Sequence, residues 1–270
     1  MDTPLVSVVM ATYNEPQEFI TASINSILAQ TYVNWELLIA DDSTNEGTIQ
    51  IIDTFVKKDK RIKVIREETR MGFVKALNIG LKSSKGIFIA RMDGDDIAMP
   101  DRLEKEVGYL MNHQEADIIG GAMNIINEKE EITSERFYPL GGYKLHLWSV
   151  FRNPLAHPTV MFRASIIKRG FLYNEEQKKA EVIEFWLRLK KNKFNIHNLP
   201  DKVLNYRVVG NLGLKRNREQ WIYNFKARKR NFCWRYPAFS ILSIGISLLF
   251  VLTPNIIVEA IYKRENSKNI

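Results

Sequence analysis

Short apolar runs rich in β-branched residues alternate with amphipathic stretches in the first hundred residues, and this alternation constrains the fold more than any other feature. The runs are typical of buried strands, whereas the stretches between them carry apolar residues at helical spacing. We expect strands at 5–10, 35–40, 62–65 and 87–91, and helices at 17–30, 47–58 and 74–81. Such alternation implies right-handed crossovers. The sequence therefore predicts an α/β fold with a Rossmann-like, mostly parallel sheet flanked by helices.

Polar side chains follow several of these strands. Thr12 and Asn14 leave the first, the pair Asp41-Asp42 ends the second, and an acidic run (Asp93-Gly94-Asp95-Asp96) follows the fourth. The carboxyl ends of parallel strands meet at one edge of the sheet, where open α/β sheets bind ligands. We therefore expect these stretches to line one crevice.

The acidic run at 93–96 places three carboxylates within four residues. Because like charges repel, a fold tolerates such a run at a strand end when a cation or a solvated loop compensates. Mg²⁺ and Mn²⁺ prefer oxygen ligands and often share one or two carboxylates with phosphates and waters. The pattern Asp-x-Asp thus suits a divalent ion held between the protein and a diphosphate; a polar turn is the alternative.

The rest of the chain is patterned less clearly. We expect a helix from 100 to 112, a strand at 118–122, a polar loop or lid at 127–145, a strand within 155–162 and an amphipathic helix at 180–192. The single cysteine, Cys233, excludes an internal disulfide framework and fits a reducing compartment. No basic region precedes the first apolar run, so a cleaved signal peptide is not expected.

Positive charge is concentrated near the C-terminus. The chain carries a net charge of +8; residues 215–235 hold eight Lys or Arg against Glu219 alone, which leaves +1 for the remainder. An apolar, uncharged stretch follows at 238–253. As a helix it spans about 24 Å, less than the roughly 30 Å hydrocarbon core of a bilayer.

We therefore expect residues 213–270 to be a basic linker followed by a monotopic or re-entrant membrane-associated helix, appended to a domain at 1–212. A kinked spanning helix and a buried core helix at the end of the domain are alternatives. Each Lys or Arg near an anionic leaflet contributes about 1 kcal/mol of attraction. An anionic membrane surface accounts for the basic cluster better than nucleic acid does, since nucleic-acid binding leaves the acidic run at 93–96 unexplained.

Six stretches carry a likeness to a known family: 6–16 (VSVVMATYNEP), 35–44 (WELLIADDST), 75–81 (KALNIGL), 86–107 (GIFIARMDGDDIAMPDRLEKEV), 153–163 (NPLAHPTVMFR) and 180–189 (AEVIEFWLRL). In this order they resemble the family-2 inverting glycosyltransferases of the GT-A fold, especially bacterial enzymes that build capsule, O-antigen and exopolysaccharide repeats. The resemblance implies a GT-A fold and a nucleotide-sugar donor, but it does not identify the sugar.

The resemblance also implies roles for individual residues. The nucleotide-sugar-binding residues are Thr12, Asn14, Glu15, Asp41, Asp42, Lys75, Asn78, Asp93 and Arg207. Within this set the resemblance assigns Asp41 to reading the base and Asp42 to a place beside the ribose. A carboxylate suits these roles, since it accepts hydrogen bonds from a ring N–H or a hydroxyl; a solvated strand end is the alternative. Lys75 and Asn78 lie near the phosphates, although a solvated helix lysine is an equal alternative for Lys75. Arg207 meets phosphate charge.

The metal, Mg²⁺ or Mn²⁺, is assigned to Asp93 and Asp95, with Asp96 orienting the loop. Pairing of Arg91 with one of these acids is a structural alternative. His157 is placed on the acceptor side, where a lone histidine is otherwise more often structural.

The chain departs from the family pattern at the base. Relatives carry an aspartate just before the Trp-Leu-Arg-Leu helix, and here that position is Val182, which cannot accept a proton. Glu181 is our candidate catalytic base, and Glu184 is a second candidate that helical geometry turns away from position 182. A third possibility is a weakened or inactive site.

These inferences predict an inverting, metal-dependent transferase that acts in cell-surface polysaccharide synthesis at the cytoplasmic face of the bacterial inner membrane. Its donor would be a nucleotide-diphosphate sugar and its acceptor a glycan or a polyprenyl-diphosphate-linked sugar. The alternative is a non-catalytic nucleotide-sugar-binding partner in a polysaccharide assembly complex.

Overall fold

A single mixed sheet organises the computed structural model, which describes residues 3–210 and 218–253. The strands of the described residues are β1 (Val6–Thr12), β2 (Trp35–Asp41), β3 (Ile62–Ile65), β4 (Phe88–Asp93), β5 (Ile97–Ala98), β6 (Ile118–Ile126), β7 (Ile132–Arg136), β8 (Met161–Arg163) and β9 (Ile196–Arg207). Their order is β3-β2-β1-β4-β8-β6-β9-β5, and β7 pairs with β6 outside this path.

Helices connect the strands and cover the sheet. They are α1 (Gln17–Leu28), α2 (Glu46–Lys58), α3 (Phe73–Ser83), α4 (Arg102–Asn112), α5 (Gly142–Phe151), α6 (Ser165–Lys168), α7 (Glu181–Lys191), α8 (Arg218–Arg230) and α9 (Pro237–Leu252), with a 3₁₀ turn at His157–Thr159. The α/β fold predicted from the alternation of strands and helices is confirmed.

The first four strands in the sheet order, β3, β2, β1 and β4, are all parallel. Their register pairs Thr12 with Asp41 and Ala11 with Asp93, so the polar residues that end β1, β2 and β4 lie at one level of the sheet. This confirms the expected shared edge. Beyond β4 the sheet becomes mixed, because β8 pairs with both β4 and β6 in the antiparallel direction.

The sheet separates two apolar clusters because side chains alternate along each strand. Val8 and Met10 of β1 pack with residues of α1 and α2, whereas Val9 packs with residues of α3 and α7. Helix α3 approaches β1 closely at Gly80, where an added Cβ would lie 2.6 Å from Val9 Cγ1. The tight contact between α3 and the sheet therefore requires glycine at this position.

Two expectations for the second half of the chain are wrong in detail, and one strand was missed. The predicted loop at 127–145 contains β7 and the start of α5, and the strand predicted within 155–162 is confined to residues 161–163 after a 3₁₀ turn. The twelve-residue β9 was not predicted. The polar, largely exposed β7 lacks the alternation of a half-buried strand, and β9 contains Pro200, which is unusual inside a sheet.

Helix α9 lies on the surface and not in the core, so the alternative of a buried core helix is wrong. Its buried residues are Ser243 and Ser247, whereas its exposed side includes Ile241, Leu242, Leu248, Leu249 and Leu252. It packs on α8, where Trp221 stacks on Phe250 at 4.2 Å, and on α5. None of the described helices combines the length and the hydrophobicity that a membrane span requires. The predicted domain boundary at 212 and the tail from 254 onward lie outside the described residues.

Candidate active site

Asp41, at the end of β2, is held in the crevice by several hydrogen bonds and an ion pair. It is 3% exposed, and its carboxylate accepts hydrogen bonds from Thr12 Oγ1 at 3.0 Å and from the Ser43 backbone N–H at 3.1 Å. Arg66 Nε donates to Asp41 Oδ2 at 2.7 Å and its Nη1 donates to Asp53. These contacts fix the carboxylate at the edge of the sheet. Arg66 was not predicted, although its position directly after β3 places it at the same edge.

Asp42 holds the turn that leads into α3. Its two carboxylate oxygens accept the backbone N–H groups of Met71 at 2.8 Å and Gly72 at 2.6 Å. Gly72 is the N-cap of α3 and has a φ of 73°, a conformation that favours glycine. The position of Asp42 beside the crevice agrees with the sequence, but its oxygens are already used to order the 71–72 turn.

Asn14 ties the loop after β1 to the loop after β2. Its φ is 59°, a left-handed conformation that asparagine tolerates better than most residues. Asn14 Oδ1 accepts the backbone N–H groups of Thr44 and Asn45, each at 2.8 Å, and its own N–H donates to Ser43 Oγ. The two loops that follow β1 and β2 therefore form one unit.

Glu15 connects this unit to the acidic run at 93–96. Its carboxylate accepts the Tyr13 backbone N–H at 2.9 Å and lies against Gly94, where an added Cβ would be 3.3 Å from Glu15 Cδ and 2.9 Å from Thr12 Cγ2. Burial, with a smaller contribution from the charges of Asp95 and Asp93, raises the pKa of Glu15 to about 7. Only a residue without a side chain allows the acidic loop to approach this closely.

The acidic run brings together three carboxylates whose oxygens lie within 4.8 Å of one another, from Asp93, Asp95 and Asp96. Asp96 is fully buried; its Oδ1 accepts the Arg207 backbone N–H at 2.9 Å, and its Oδ2 has no hydrogen-bond partner among the described residues. Burial and the neighbouring carboxylates raise the pKa of Asp96 well above its usual value, and that of Asp95 as well.

This arrangement fits a divalent cation. Mg²⁺ and Mn²⁺ take oxygen ligands, and a nearby cation would relieve both the mutual repulsion and the unpaired buried oxygen. Ser23 Oγ donates to the Asp93 carbonyl at 3.1 Å and so anchors the start of the run to α1. The residues present are therefore of the right type and spacing for the predicted metal, with Asp93 and Asp95 the more accessible pair.

Arg91 pairs with Asp93, which confirms the structural alternative expected from the sequence. Its guanidinium is buried and contacts both carboxylate oxygens of Asp93, one of them at 2.7 Å. Arg102 Nη2 donates to the Arg91 carbonyl at 2.9 Å from the opposite side. The same positive charge adds to the lowering of the pKa of His157 by burial, and it opposes the rise in the pKa of Glu181 that burial causes. Arg91 therefore pairs with the acidic run, and its charge also acts on a second group of side chains.

That second group consists of His157, Tyr173 and Glu181. His157 Nε2 and the Tyr173 hydroxyl are 2.7 Å apart, and burial followed by the charge of Arg91 lowers the pKa of His157 well below its usual value. Glu181 begins α7 after Ala180, whose φ is 59°. Burial raises the pKa of Glu181. Tyr173 was missed because it lies in an irregular loop without a periodic pattern.

The two glutamates considered as base occupy different environments. Glu184 is 1% exposed, accepts from Arg188 at 3.0 Å and from Asn231 at 3.2 Å, and so joins α7 to α8. Val182 packs against the apolar cluster behind α3. Glu181 is the carboxylate of this helix on which the charge of Arg91 acts, and its own charge adds to the rise in the pKa of Tyr173.

The remaining candidates lie behind the crevice or at its side. Asn78 is buried and exchanges hydrogen bonds with the backbone of Tyr173 at 2.9 Å, so it positions that loop. Lys75 is half-buried and forms no ion pair within the described part of the chain. Arg207 Nε donates to the Asp95 carbonyl at 2.8 Å, and its Nη2 pairs with Glu130 at 2.8 Å. Through these contacts the Arg207 side chain holds the backbone of the acidic run in place.

Comparison with known proteins gives a consistent result. The family model described as glycosyl transferase family 2 matches residues 7–171. The O-antigen biosynthesis glycosyltransferase WbnJ of Escherichia coli is 34% identical over 212 residues, which cover 76% of this chain and 80% of that protein.

The Escherichia coli enzyme named UDP-Glc:alpha-D-GlcNAc-diphosphoundecaprenol beta-1,3-glucosyltransferase WfgD is 39% identical over 127 residues, or 47% of this chain and 49% of that enzyme. Among solved structures, S. aureus TarS 1-349 in complex with UDP-GlcNAc superposes with a TM-score of 0.70 at 23% identity, covering 90% of this chain and 71% of TarS. At this identity the likeness to TarS establishes the fold.

Proposed function

The chain belongs to glycosyl transferase family 2, and we propose that it transfers a sugar, with inversion, from a nucleotide-diphosphate sugar to a glycan or lipid-linked acceptor in cell-surface polysaccharide biosynthesis. The observation that carries the proposal is the cluster of Asp93, Asp95 and Asp96 at the same sheet edge as Thr12 and Asp41. The names of WbnJ and WfgD and the UDP-GlcNAc complex of TarS support it.

The donor would lie across the carboxyl ends of β1, β2 and β4. Asp41, held by Thr12 and Arg66, is suited to accept a hydrogen bond from a base N–H. Asp93 and Asp95 would hold Mg²⁺ or Mn²⁺. When bound, the ion supplies positive charge to the diphosphate as it leaves. Arg207 and Glu15 keep the loop that carries both acids in place.

Glu181 is proposed as the general base. Inversion requires a base on the acceptor side of the sugar, opposite the leaving diphosphate. Glu181 begins α7, and burial raises its pKa, which makes it a better proton acceptor than an exposed glutamate. His157 and Tyr173, bonded to each other beside it, would orient the acceptor.

The acceptor and the location of the enzyme are proposed from the C-terminal helices. The exposed side of α9 carries leucine and isoleucine while its serines face the protein, the reverse of an ordinary surface helix. Helix α8 beside it ends in the exposed basic residues Lys229 and Arg230. An apolar face next to positive charge suits an anionic membrane surface. We place the protein at the cytoplasmic face of the bacterial inner membrane, where a polyprenyl-diphosphate-linked acceptor would be found.

Thermal unfolding with a panel of nucleoside diphosphates, with and without Mn²⁺, tests the donor site. A ligand at 100 times its Kd adds about 2.7 kcal/mol, which corresponds to a shift of about 5–10 °C for a chain of this size. A Mn²⁺-dependent shift with one nucleotide is expected. Absence of a shift with every nucleotide would contradict the proposal.

A second candidate function is a non-catalytic nucleotide-sugar-binding partner, and Val182 is the observation that favours it. The variant Val182→Asp distinguishes the two in a transfer assay. If the chain is active and Glu181 is its base, the added aspartate should give little gain. A parent protein that binds nucleotide without turnover, and that gains turnover from Val182→Asp, would favour the second candidate.

A further inference from the structure

Phe73, the first residue of α3, is an exposed aromatic side chain on a helix face that is otherwise buried. Leu77 and Leu81 follow it at intervals of four residues, so the three side chains lie on one face of the helix. Both leucines pack in the apolar cluster that α3 forms with the sheet and α7, whereas Phe73 is 40% exposed. The helix thus extends its apolar face past the part of the sheet that covers it.

The position of α3 places Phe73 at the edge of the sheet where the proposed donor would bind. Gly80 packs against Val9, in the middle of β1. Phe73 lies seven residues nearer the start of the helix, about 10 Å along its axis, and the end of β1 lies three residues, also about 10 Å, beyond Val9. The preceding residue, Gly72, donates its backbone N–H to Asp42 just after β2. Phe73 therefore lies level with the polar ends of these strands.

Two neighbours orient the Phe73 ring. The central carbon of the Arg91 guanidinium lies 5.6 Å from the centre of the ring, within cation–π range, and the same guanidinium contacts both carboxylate oxygens of Asp93. The His157 ring lies 6.1 Å away at an angle of 73°, an edge-to-face arrangement, and its Nε2 is 2.7 Å from the Tyr173 hydroxyl. The ring thus contacts the partner of a proposed metal ligand and one member of the pair proposed to orient the acceptor.

This location suits the sugar that would be transferred. In a nucleotide-diphosphate sugar the reacting carbon has to lie between the metal-bound diphosphate and the acceptor, and Phe73 lies beside groups assigned to each. One face of a hexose presents mainly C–H groups, whose slight positive charge is attracted to the negative face of an aromatic ring. Because its neighbours already orient the Phe73 ring, packing a sugar on it costs little side-chain entropy.

We propose that Phe73 forms the apolar wall of the donor-sugar site, and that the C–H face of the transferred hexose packs on its ring. Asp41 and the acidic run account for the nucleotide and the diphosphate, and they leave the sugar without an assigned contact. Phe73 supplies that contact. This inference rests on the proposed function, because it assigns a residue to the sugar that the enzyme would transfer.

The test is isothermal titration of the full chain, in Mn²⁺, with nucleoside diphosphates and their sugar conjugates. The probes are UDP with UDP-glucose and UDP-GlcNAc, GDP with GDP-mannose, and dTDP with dTDP-glucose. For the nucleotide that binds the parent, the quantity compared is the Kd of the sugar conjugate divided by the Kd of the free nucleotide. Phe73→Ala should raise this ratio about 10-fold, since it removes both the ring and its apolar area. Phe73→Tyr keeps the ring and should leave the ratio unchanged.

Ile87→Ala is the matched control, because Ile87 is 59% exposed and directly precedes β4, at the end opposite Asp93. It should keep the parent ratio. Phe73→Leu keeps an apolar side chain without a ring and should raise the ratio about 3-fold. Thermal unfolding without ligand checks each variant, and Phe73→Ala should unfold near the parent temperature because alanine favours the helix. If Phe73→Ala does not fold, Phe73→Leu decides the test.

An unchanged ratio in Phe73→Ala would overturn the proposal, whether both Kd values stay at the parent level or both rise together. The second of these results would place Phe73 against the nucleotide. Failure of this inference is distinguishable from failure of the proposed function. A parent that binds a nucleotide in Mn²⁺, with a ratio that Phe73→Ala leaves unchanged, would refute only the sugar contact. A parent that binds none of the nucleotides would refute the donor site itself.

Discussion

The backbone N–H of Arg207, the last residue of β9, donates a hydrogen bond to Asp96 Oδ1 at 2.9 Å, while the Arg207 side chain donates to the carbonyl of Asp95 at 2.8 Å. Residues that are 111 positions apart in the chain thereby share one hydrogen-bonded unit. The acidic run is therefore not a flexible turn. Its shape is set by the final strand of the sheet, and the geometry of the proposed metal site depends on this contact.

Replacing Arg207 should weaken metal binding and stability together. Arg207→Met removes the hydrogen bond to Asp95 and the pair with Glu130, so we expect the free energy of unfolding to fall by about 2 kcal/mol. Loss of a residue that orients metal ligands typically lowers metal affinity by about 10-fold or more. Urea denaturation and Mn²⁺ titration measure the two effects. Arg136→Met, at an exposed position on β7, is the control, and equal Mn²⁺ affinity in both variants would contradict the supporting role of Arg207.

Asp95→Asn should abolish the Mn²⁺-dependent stabilisation by nucleotide, a shift of about 5–10 °C in the parent protein. Without metal the variant should be at least as stable as the parent, because one of three mutually repelling charges is gone. Differential scanning fluorimetry measures both. Asp101→Asn, a substitution of a partly exposed acid paired with Lys105, should keep the full shift. A full shift in Asp95→Asn would exclude Asp95 as a ligand.

Glu181→Gln should lower turnover by about 10²–10⁴-fold, the usual contribution of a general base, and leave nucleotide binding unchanged. Glu184→Gln should instead lower stability, because Glu184 is buried between Arg188 and Asn231, and should change turnover less. A transfer assay together with thermal unfolding of both variants makes the comparison. The reverse pattern would move the role of base to Glu184.

Glu106 should make stability depend on pH. Burial raises its pKa to about 7, although the charge of Arg102 opposes this. A carboxyl whose folded pKa is raised contributes stability that is present below about pH 4.5 and is lost as pH rises through the folded value. Between pH 4.5 and pH 7 the parent should lose about 3 kcal/mol relative to Glu106→Gln. Urea denaturation at several pH values tests this, and Glu104→Gln, an exposed position on the same helix, should follow the parent.

The exposed face of α9 should be needed for binding to anionic vesicles. Leu249 and Leu252 are 64% and 68% exposed, and burying a leucine in an apolar environment contributes about 1.5–3 kcal/mol. Leu249→Lys combined with Leu252→Lys should therefore reduce vesicle binding by about 100-fold. Flotation with phosphatidylglycerol-containing vesicles measures the effect. Val33→Lys, at an exposed residue before β2, should bind like the parent, and equal binding by all three proteins would argue against α9 as the membrane contact.

Local pattern was enough to predict the half of the molecule that carries the proposed donor site. The strands β1 to β4 are short apolar runs, and their parallel order follows from the helices between them. Because parallel strands end at the same edge, Thr12, Asp41 and Asp93 had to meet there, and the register of the sheet confirms it. The members of the acidic cluster could be identified from the sequence because they are neighbours in it, although their geometry depends on Arg207.

The sequence by itself determined the α/β alternation, the polar edge and the acidic run, because each is encoded within a few residues. Only the tertiary structure decided that Asn78 orders the Tyr173 loop, that Glu184 is tied to α8 while Glu181 lies near Arg91, and that α9 turns its leucines outward. These contacts join residues that are 47 or 95 positions apart. No local periodicity specifies such contacts, because which residues meet depends on how the helices pack on the sheet and on one another.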